Sequence, residues 1–521
     1  MNIVEFLKKR IDSIGTICAK YLNENNEIEY LPIFYIAGSQ TLPPPLEPAE
    51  EEKMIKKFKG LEKVKKIHMI GIGGVSMSGI AIILQKAGYE VTGSDKNEGD
   101  MIDILTKNGI PVFIGSNAEW VKDADIVVYT SAINQHDPEF VRAKALNKPL
   151  YERAKFLGIL LNSYKTPICI CGTHGKTTTT SMVSSIFIDA GLDPNVQVGG
   201  KFKKLGNLNY RIGDSNYFIL ESCEYVDSFL NFPHQTATVL NIDEDHLDYF
   251  SGIEEIKESF KKFILMLPKD GILVINKDDM NCMDVVNELS EELSKKQVRI
   301  YTFSIGDPTA TIYAKNISCN IKGFYSFEVF NEKTDDSYKF YLTVPGIHNV
   351  YDALASITTS YAHGISFKKM QKSLNEFSGA KRRFEFKKEI GKNILVYDDY
   401  AHHPTEIKST LAAAKQKEHK RIIAIFQPHT FSRTKELLND FATAFSDADI
   451  AIIADIYAAR EKDDGTISSK DLVEKLVNNK VNAIYLPTFD EIRKYLKENM
   501  KPGDIILTIG AGNITHLSDK L

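Results

Sequence analysis

Apolar residues fall along this chain in two alternating rhythms. Short runs such as Ile126-Val-Val-Tyr129, Ile168-Cys-Ile-Cys171 and Ile422-Ile-Ala-Ile-Phe426 read as buried strands. Between them lie stretches whose apolar positions recur three and four apart, as on one face of a helix. Lys65 to Ile72 is read as a strand; a helix then runs through Ala87 and stops at Gly88, and a strand at Glu90 to Thr92 leads into Gly93-Ser94-Asp95. The strand ending at Cys171 is followed by a helix from about Thr177 to Ala190, with Gly191 at its end. Tyr217 to Leu220 and Thr236 to Ile242 read as further strands. After Gly379 the alternation resumes, with strands at Ile394–Tyr397, Arg421–Phe426, Ile450–Ala454, Val481–Leu486 and Asp504–Ile509. Strands alternating with helices predict an α/β protein built on mostly parallel sheets.

Two stretches break the pattern. Between residues 299 and 343, four segments alternate in strand fashion without helices, which predicts a small antiparallel insertion. Residues 1–60 read as a weakly ordered or helical extension: Ile3, Phe6, Leu7, Ile11, Ile14 and Cys18 follow helical spacing, and Thr41-Leu-Pro-Pro-Pro-Leu-Glu-Pro48 must be extended. Ile36 to Glu52 also resembles the start of a sporulation sigma factor, a stretch that carries no chemistry. The expected domains are 61–162, Rossmann-like; 163–378, a central P-loop-type sheet; and 379–521, again Rossmann-like.

Composition narrows the function. The chain has 521 residues, 43% hydrophobic and 26% charged, enough for several cores. Its formal net charge of −5 offers no basic field for nucleic acid. No apolar run is long enough to span a membrane, and the N-terminus lacks the order of a signal peptide. Six cysteines form no disulfide or zinc framework, so a cytoplasmic location is expected. Oligomeric state leaves no mark in the sequence.

The chemistry concentrates at Gly172-Thr173-His174-Gly175-Lys176-Thr177-Thr178, between a strand and a helix. Such a turn cradles phosphate: backbone N–H groups and the helix start face the anion, Lys176 adds a point charge, and the Thr177 hydroxyl can reach magnesium. Only Thr173 and His174 separate the two glycines, two residues fewer than in the usual motor-type loop. Glu221 and His246 end the neighbouring strands, so they fall on the same sheet edge and predict a magnesium-nucleotide site. Gly71-Ile-Gly-Gly-Val-Ser-Met-Ser-Gly79 is a second glycine-rich turn, but Ser76 stands where the dinucleotide fingerprint needs Gly, which weakens a dehydrogenase reading. His402 and His403 could form a metal pair by composition, but adjacent residues point different ways, so a substrate-facing loop is the better reading.

These motifs, with Asn241-Ile-Asp-Glu-Asp-His-Leu-Asp248, His348-Asn349, Arg382-Arg-Phe384, Asp398-Asp-Tyr-Ala-His-His-Pro404 and Phe426-Gln-Pro-His429, resemble the Mur ligases in unbroken order from about Lys65 to the C-terminus. The resemblance implies an N-terminal UDP-sugar domain, a central ATPase domain and a C-terminal amino-acid domain. It further implies a cytoplasmic step of peptidoglycan precursor synthesis in which ATP and Mg2+ serve to join L-alanine to UDP-N-acetylmuramate through an acyl phosphate. On that resemblance Gly73, Gly74, Ser94, Asp95 and Ser131 would hold the uridine diphosphate. Lys176 would meet the phosphates, and Thr177, Glu221 and His246 would organise magnesium. Asn349 would contact ATP; Arg383 and Asp399 would close onto it; Tyr400, His402 and Arg433 would shape the alanine site. Two positions depart from the family: Asp352 stands where many relatives have Asn, and Thr430 where many have Arg. Lys261 lies near the position of a carbamylated lysine in later-step ligases, but carbamylation is not inferred. The rival readings are a recycling ligase that attaches a ready-made murein peptide, and a nucleotide-gated binding protein without turnover.

Overall fold

The computed structural model describes residues 58–521 except 248, 392 and 460, and two short strands before them. Those two, Lys20–Leu22 and Ile28–Tyr30, pair antiparallel within a separate unit, residues 1–57. The helix expected at Ile3–Cys18, the proline stretch and the sigma-like segment lie outside the described residues.

Three sheets follow one another in residues 58–521. In the first, five parallel strands run in the spatial order Val112–Ile114, Glu90–Asp95, Lys66–Ile70, Ile126–Tyr129, Leu150–Glu152. The chain starts in the middle, builds one side and then the other. The order therefore reverses beside Lys66–Ile70, which leaves a crevice at the carboxyl ends of that strand and Ile126–Tyr129. The Gly71 turn and Thr130-Ser131 lie at that crevice.

The central sheet has ten strands. Thr166–Cys171 lies inside it, flanked in parallel by Tyr217–Glu221 and Thr236–Val239. Each of these strands is buried along most of its length, as parallel strands covered on both faces must be. Helix Lys176–Asp189 follows the central strand, and eleven of its fourteen residues are buried. The helix therefore carries buried threonines and serines on all sides: helix His348–Ala362 packs against it, and the Ser181 and Ser185 hydroxyls are satisfied by carbonyls one turn back. The expected antiparallel insertion needs correction. Arg299–Ile305 pairs parallel with Ile272–Asn276, and Ile312–Cys319 pairs parallel with Arg299–Ile305. Only Phe324–Asn331 and Thr334–Pro345 are antiparallel additions, and they extend the same sheet. Alternation showed the strands but not their partners.

The third sheet orders its strands Glu385–Ile390, Ile394–Asp399, Asp504–Ile509, Arg421–Phe426, Ile450–Ile453, Ala483–Tyr485, all parallel except the first. Its two faces carry separate apolar clusters. The first and second sheets instead share one cluster, in which Leu157 and Leu160 of helix Arg153–Leu161 join Phe229, Phe260 and Phe263. Gly158 lets this helix approach the backbone carbonyl of Asn231. No helix among the described residues is long and apolar enough to cross a membrane.

Candidate active site

The phosphate loop is held by its own sheet. Gly175 caps the helix in the left-handed region, with φ 83°, a conformation that favours glycine. Thr173 N–H donates to the Asn241 carbonyl (3.1 Å), and His174 N–H donates to the Asn241 side chain (2.8 Å). The Thr173 hydroxyl donates to the Asp243 carbonyl and accepts from Asp243 N–H. The strand end at Asn241–Asp243 thus fixes the loop from below, leaving the helix start open.

Lys176 lies across this turn. Its ammonium donates to the carbonyls of Gly172 (2.6 Å) and Thr173 (2.9 Å), and to both carboxylate oxygens of Glu224 (3.0 and 3.1 Å). Burial alone would lower its pKa, but the neighbouring Glu224 charge more than offsets that and holds it above the ordinary lysine value. Glu224 is 2% exposed. Sequence reasoning missed it; the Glu221-Ser-Cys-Glu224 spacing was its only sign.

Thr177 and Glu221 meet at the same edge. The Thr177 hydroxyl donates to Glu221 Oε1 (2.8 Å), and Glu221 Oε2 accepts from Gly199 N–H. A hydroxyl and a carboxylate, both hard oxygen donors, suit magnesium. Arg383 arrives from the third domain and donates to Thr177 Oγ1 (3.2 Å). His246 is in the left-handed region (φ 55°) and stacks on Tyr225, ring centroids 4.4 Å apart. It feels the charges of Asp245, Glu224, Lys176 and Arg433, while burial holds its pKa below the ordinary value.

A cavity of about 430 Å³ opens beside the loop, lined among others by His174, Thr178, Asn349, Asp352, Arg383 and Asp399. Asn349 spends its amide N–H on the Pro345 carbonyl (2.6 Å) and touches His348. Asp352 is buried and accepts from the Thr179 hydroxyl (3.1 Å); burial pushes its pKa up to about 7. Asp399 is buried and accepts from the N–H groups of Phe384 and Ala401. Burial raises it to about 6 against the opposing pull of Arg383. It therefore orients the segment that carries Arg383.

The third domain closes on the second through a polar seam. Thr405 Oγ1 donates to Asp243 Oδ2 (3.3 Å), and Arg433 Nη2 donates to Asp245 Oδ1 (3.3 Å). Burial would raise Asp245, but the charges of His246 and Arg433 hold its carboxyl well below the usual range. His174 sits between Asp243 Oδ2 (3.2 Å) and Glu406 Oε1 (3.6 Å). Burial would lower it, yet its bond to Asp243 and the Glu406 charge beside it raise it to about 9. Tyr400 lies under the guanidinium groups of Arg382 (4.8 Å) and Arg383 (5.3 Å), and His402 packs beside it. Thr430, at φ 66°, caps the helix Phe431–Glu436 that carries Arg433, a capping role that arginine could not fill.

At the first crevice, Gly73 N–H donates to Asp95 Oδ2 (2.9 Å), Gly74 is exposed, and Ser131 is exposed. Ser94 corrects the expectation. Its side chain is 1% exposed and donates to Glu139 Oε2 (2.7 Å), which also bonds His68 Nε2. Only its carbonyl serves the turn, accepting from Gly71 and Ile72 N–H. Ser76, where a dinucleotide site needs Gly, is bonded by Gln197 of the central domain and by Arg153. Lys261, on helix Ile253–Leu265, is paired with Glu258 and Glu288, and it does not line the cavity.

A phosphate loop, an acid on its sheet edge and an arginine supplied by a third α/β domain define a multidomain nucleotide-dependent ligase fold. The chain belongs to the Mur ligase family: residues 66–165 match its "Mur ligase family, catalytic domain", 170–360 its "Mur ligase middle domain", and 382–512 its "Mur ligase, glutamate ligase domain". It is 48% identical over 460 residues to the UDP-N-acetylmuramate–L-alanine ligase of Caldanaerobacter subterraneus subsp. tengcongensis, covering 88% of this chain and 98% of that protein. The ligase of the same name from Acetivibrio thermocellus is 47% identical, covering 88% and 95%. Among solved structures, the UDP-N-acetylmuramate–alanine ligase of Thermotoga maritima superposes with a TM-score of 0.73 at 28% identity, covering 87% of this chain and 97% of that one. A murein peptide ligase from Psychrobacter arcticus follows at 0.64 and 25% identity, covering 88% and 98%.

Proposed function

We propose that this chain joins L-alanine to UDP-N-acetylmuramate at the expense of ATP, a step of peptidoglycan precursor synthesis. The observation that carries the reading is Thr177, next to Lys176, joining Glu221 and Arg383 of the third domain, in a chain 48% identical to a UDP-N-acetylmuramate–L-alanine ligase.

A carboxylate is a poor acyl donor because its leaving group would be oxide. Moving the γ-phosphoryl of ATP to an oxygen of the lactyl carboxylate gives an acyl phosphate and ADP. The neutral amine of alanine then attacks the acyl carbon, phosphate leaves with the C–O bond, and the amine proton is lost. In this scheme Lys176 and Arg383 bring positive charge to the transferring group, which is electrostatic positioning rather than covalent catalysis. Lys176 must exchange at least part of its hold on Gly172, Thr173 and Glu224 for phosphate oxygens.

Thr177 and Glu221 would hold Mg2+, with His246 beside them; the ion, when bound, neutralises charge on the phosphates. The Gly71 turn, Gly73, Gly74, Asp95 and Ser131 would receive the uridine diphosphate. Tyr400, His402 and Arg433 would receive alanine, Arg433 facing its carboxylate. Closure of the seam at Asp243 and Asp245 would keep water from the acyl phosphate.

The test is ADP release with UDP-N-acetylmuramate while single amino acids are varied, with and without Mg2+. L-alanine should support turnover and EDTA should abolish it. A murein tripeptide outcompeting alanine would turn the reading to a recycling ligase; no turnover with either would leave a binding protein.

A further inference from the structure

One cluster at the seam carries metal-ligand chemistry to which the reaction above gives no step. His174 comes from the phosphate loop, Asp243 from the end of the next strand, and His403 from the start of helix Pro404–Lys415 in the third domain. One ring nitrogen of each histidine and one Asp243 oxygen all lie within 4.8 Å of one another. The two imidazole rings are 5.1 Å apart, centre to centre.

Each histidine has one ring nitrogen without a hydrogen bond. His403 is 5% exposed; its Nδ1 accepts the Thr405 N–H (3.3 Å), while its buried Nε2 bonds nothing. Nδ1 of His174 is likewise buried and unbonded, 3.6 Å from Glu406 Oε1. Buried polar atoms are rarely left unmatched, because each costs desolvation energy without return. The unmatched Nε2 of the buried His403, in a cluster with a second imidazole and a carboxylate, therefore points to a ligand.

We propose that His174, Asp243 and His403 bind a divalent transition-metal ion of the zinc, nickel or cobalt kind. Two imidazoles and one carboxylate suit such ions, whereas magnesium prefers an all-oxygen shell. Glu406 stands behind His174 as a further oxygen donor. The site is separate from Thr177 and Glu221 and does not depend on the ligase reading. Coordination through His403 Nε2 moves its proton to Nδ1 and gives up the long bond from Thr405. Coordination by His174 releases one ring proton, whose charge the Asp243 and Glu406 carboxylates balance until then. The bound ion would tie the phosphate loop to the third domain across the seam.

The test uses the full chain without nucleotide, in excess Mg2+ so that hard-oxygen sites are filled. Cobalt is titrated and followed by its visible absorption, then displaced with zinc. One cobalt per chain with a nitrogen–oxygen spectrum is expected. His403→Gln and Asp243→Asn should each weaken binding by at least about tenfold, with metal-free melting temperatures recorded to show that both variants fold. Should His403→Gln not fold, Asp243→Asn alone decides. Unchanged affinity in the folded variants, no saturable binding at millimolar cobalt, or a thiolate-to-cobalt charge-transfer band would each overturn the proposal. Ligase turnover in Mg2+ is measured separately, so its loss leaves this result standing.

Discussion

The ammonium of Lys176 rests against both carboxylate oxygens of Glu224, at 3.0 and 3.1 Å, with the carbonyls of Gly172 and Thr173 taking its remaining hydrogens. A lysine bonded this way keeps its proton and has its charge balanced by Glu224. Lys176→Ala is expected to cut alanine-dependent phosphate release by at least about 10²-fold. Glu224→Ala leaves Lys176 without its counter-charge, and removing one partner of such a buried pair costs about 3–5 kcal/mol. Its melting temperature should fall clearly, and Glu224→Gln should lose less. Wild-type turnover in Lys176→Ala would remove this lysine from the mechanism.

Asp352 offers a pH test. A free aspartate ionises near pH 3.9, whereas burial carries Asp352 up to about 7. Between those values the folded chain keeps a proton that the unfolded chain has released. Its contribution to stability is therefore present at low pH and is lost as pH rises toward 7. Asp352→Asn keeps an acceptor for the Thr179 hydroxyl and removes the titration. Melting curves should place the variant a few degrees above the parent at pH 8, with the gap closing near pH 5. A gap independent of pH would mean that Asp352 does not titrate in this range.

Arg433 is tied to Asp245 across the seam at 3.3 Å. Arg433→Ala should raise KM for L-alanine by about tenfold or more, a loss of about 1.4 kcal/mol, while KM for ATP changes less. Steady-state kinetics with each substrate varied in turn separates the two. An equal rise in both constants would assign Arg433 to domain closure alone.

Gly158 lies where helix Arg153–Leu161 crosses the turn at Asn231, and a Cβ there would overlap the Asn231 carbonyl oxygen. Backbone cannot yield as a side-chain tip can. Gly158→Ala is expected to cost about 1–3 kcal/mol, read as a lower melting temperature. An unchanged melting temperature would show that the first domain shifts freely on the second.

What could be read from the sequence was local. The strand, the glycine turn and the helix start lie within one short stretch, so the phosphate loop was visible before its partners were known. Glu224 was not, because its meeting with Lys176 joins two strand ends that the chain visits far apart. Ser94 was misassigned for a different reason. Neighbouring side chains on a strand point to opposite faces; with Asp95 turned toward the crevice, Ser94 must turn inward, to Glu139 and His68. The antiparallel insertion erred in the same way as any reading of alternation, which records that a strand has two faces but not which strand lies beside it. The seam of Thr405, Arg433, Asp243 and Asp245 depends on how two domains dock, and single residues carry no trace of that.

The strand Thr166–Cys171 lies between Tyr217–Glu221 and Thr236–Val239, both made after it. During synthesis it emerges first, has no neighbour to bond until the chain has grown through Glu221, and lacks its second until Val239. For that interval Cys169 and Cys171, wholly buried in the finished sheet, remain open to oxidants, so the yield of active protein made under oxidising conditions reports on how quickly translation delivers the two flanking strands.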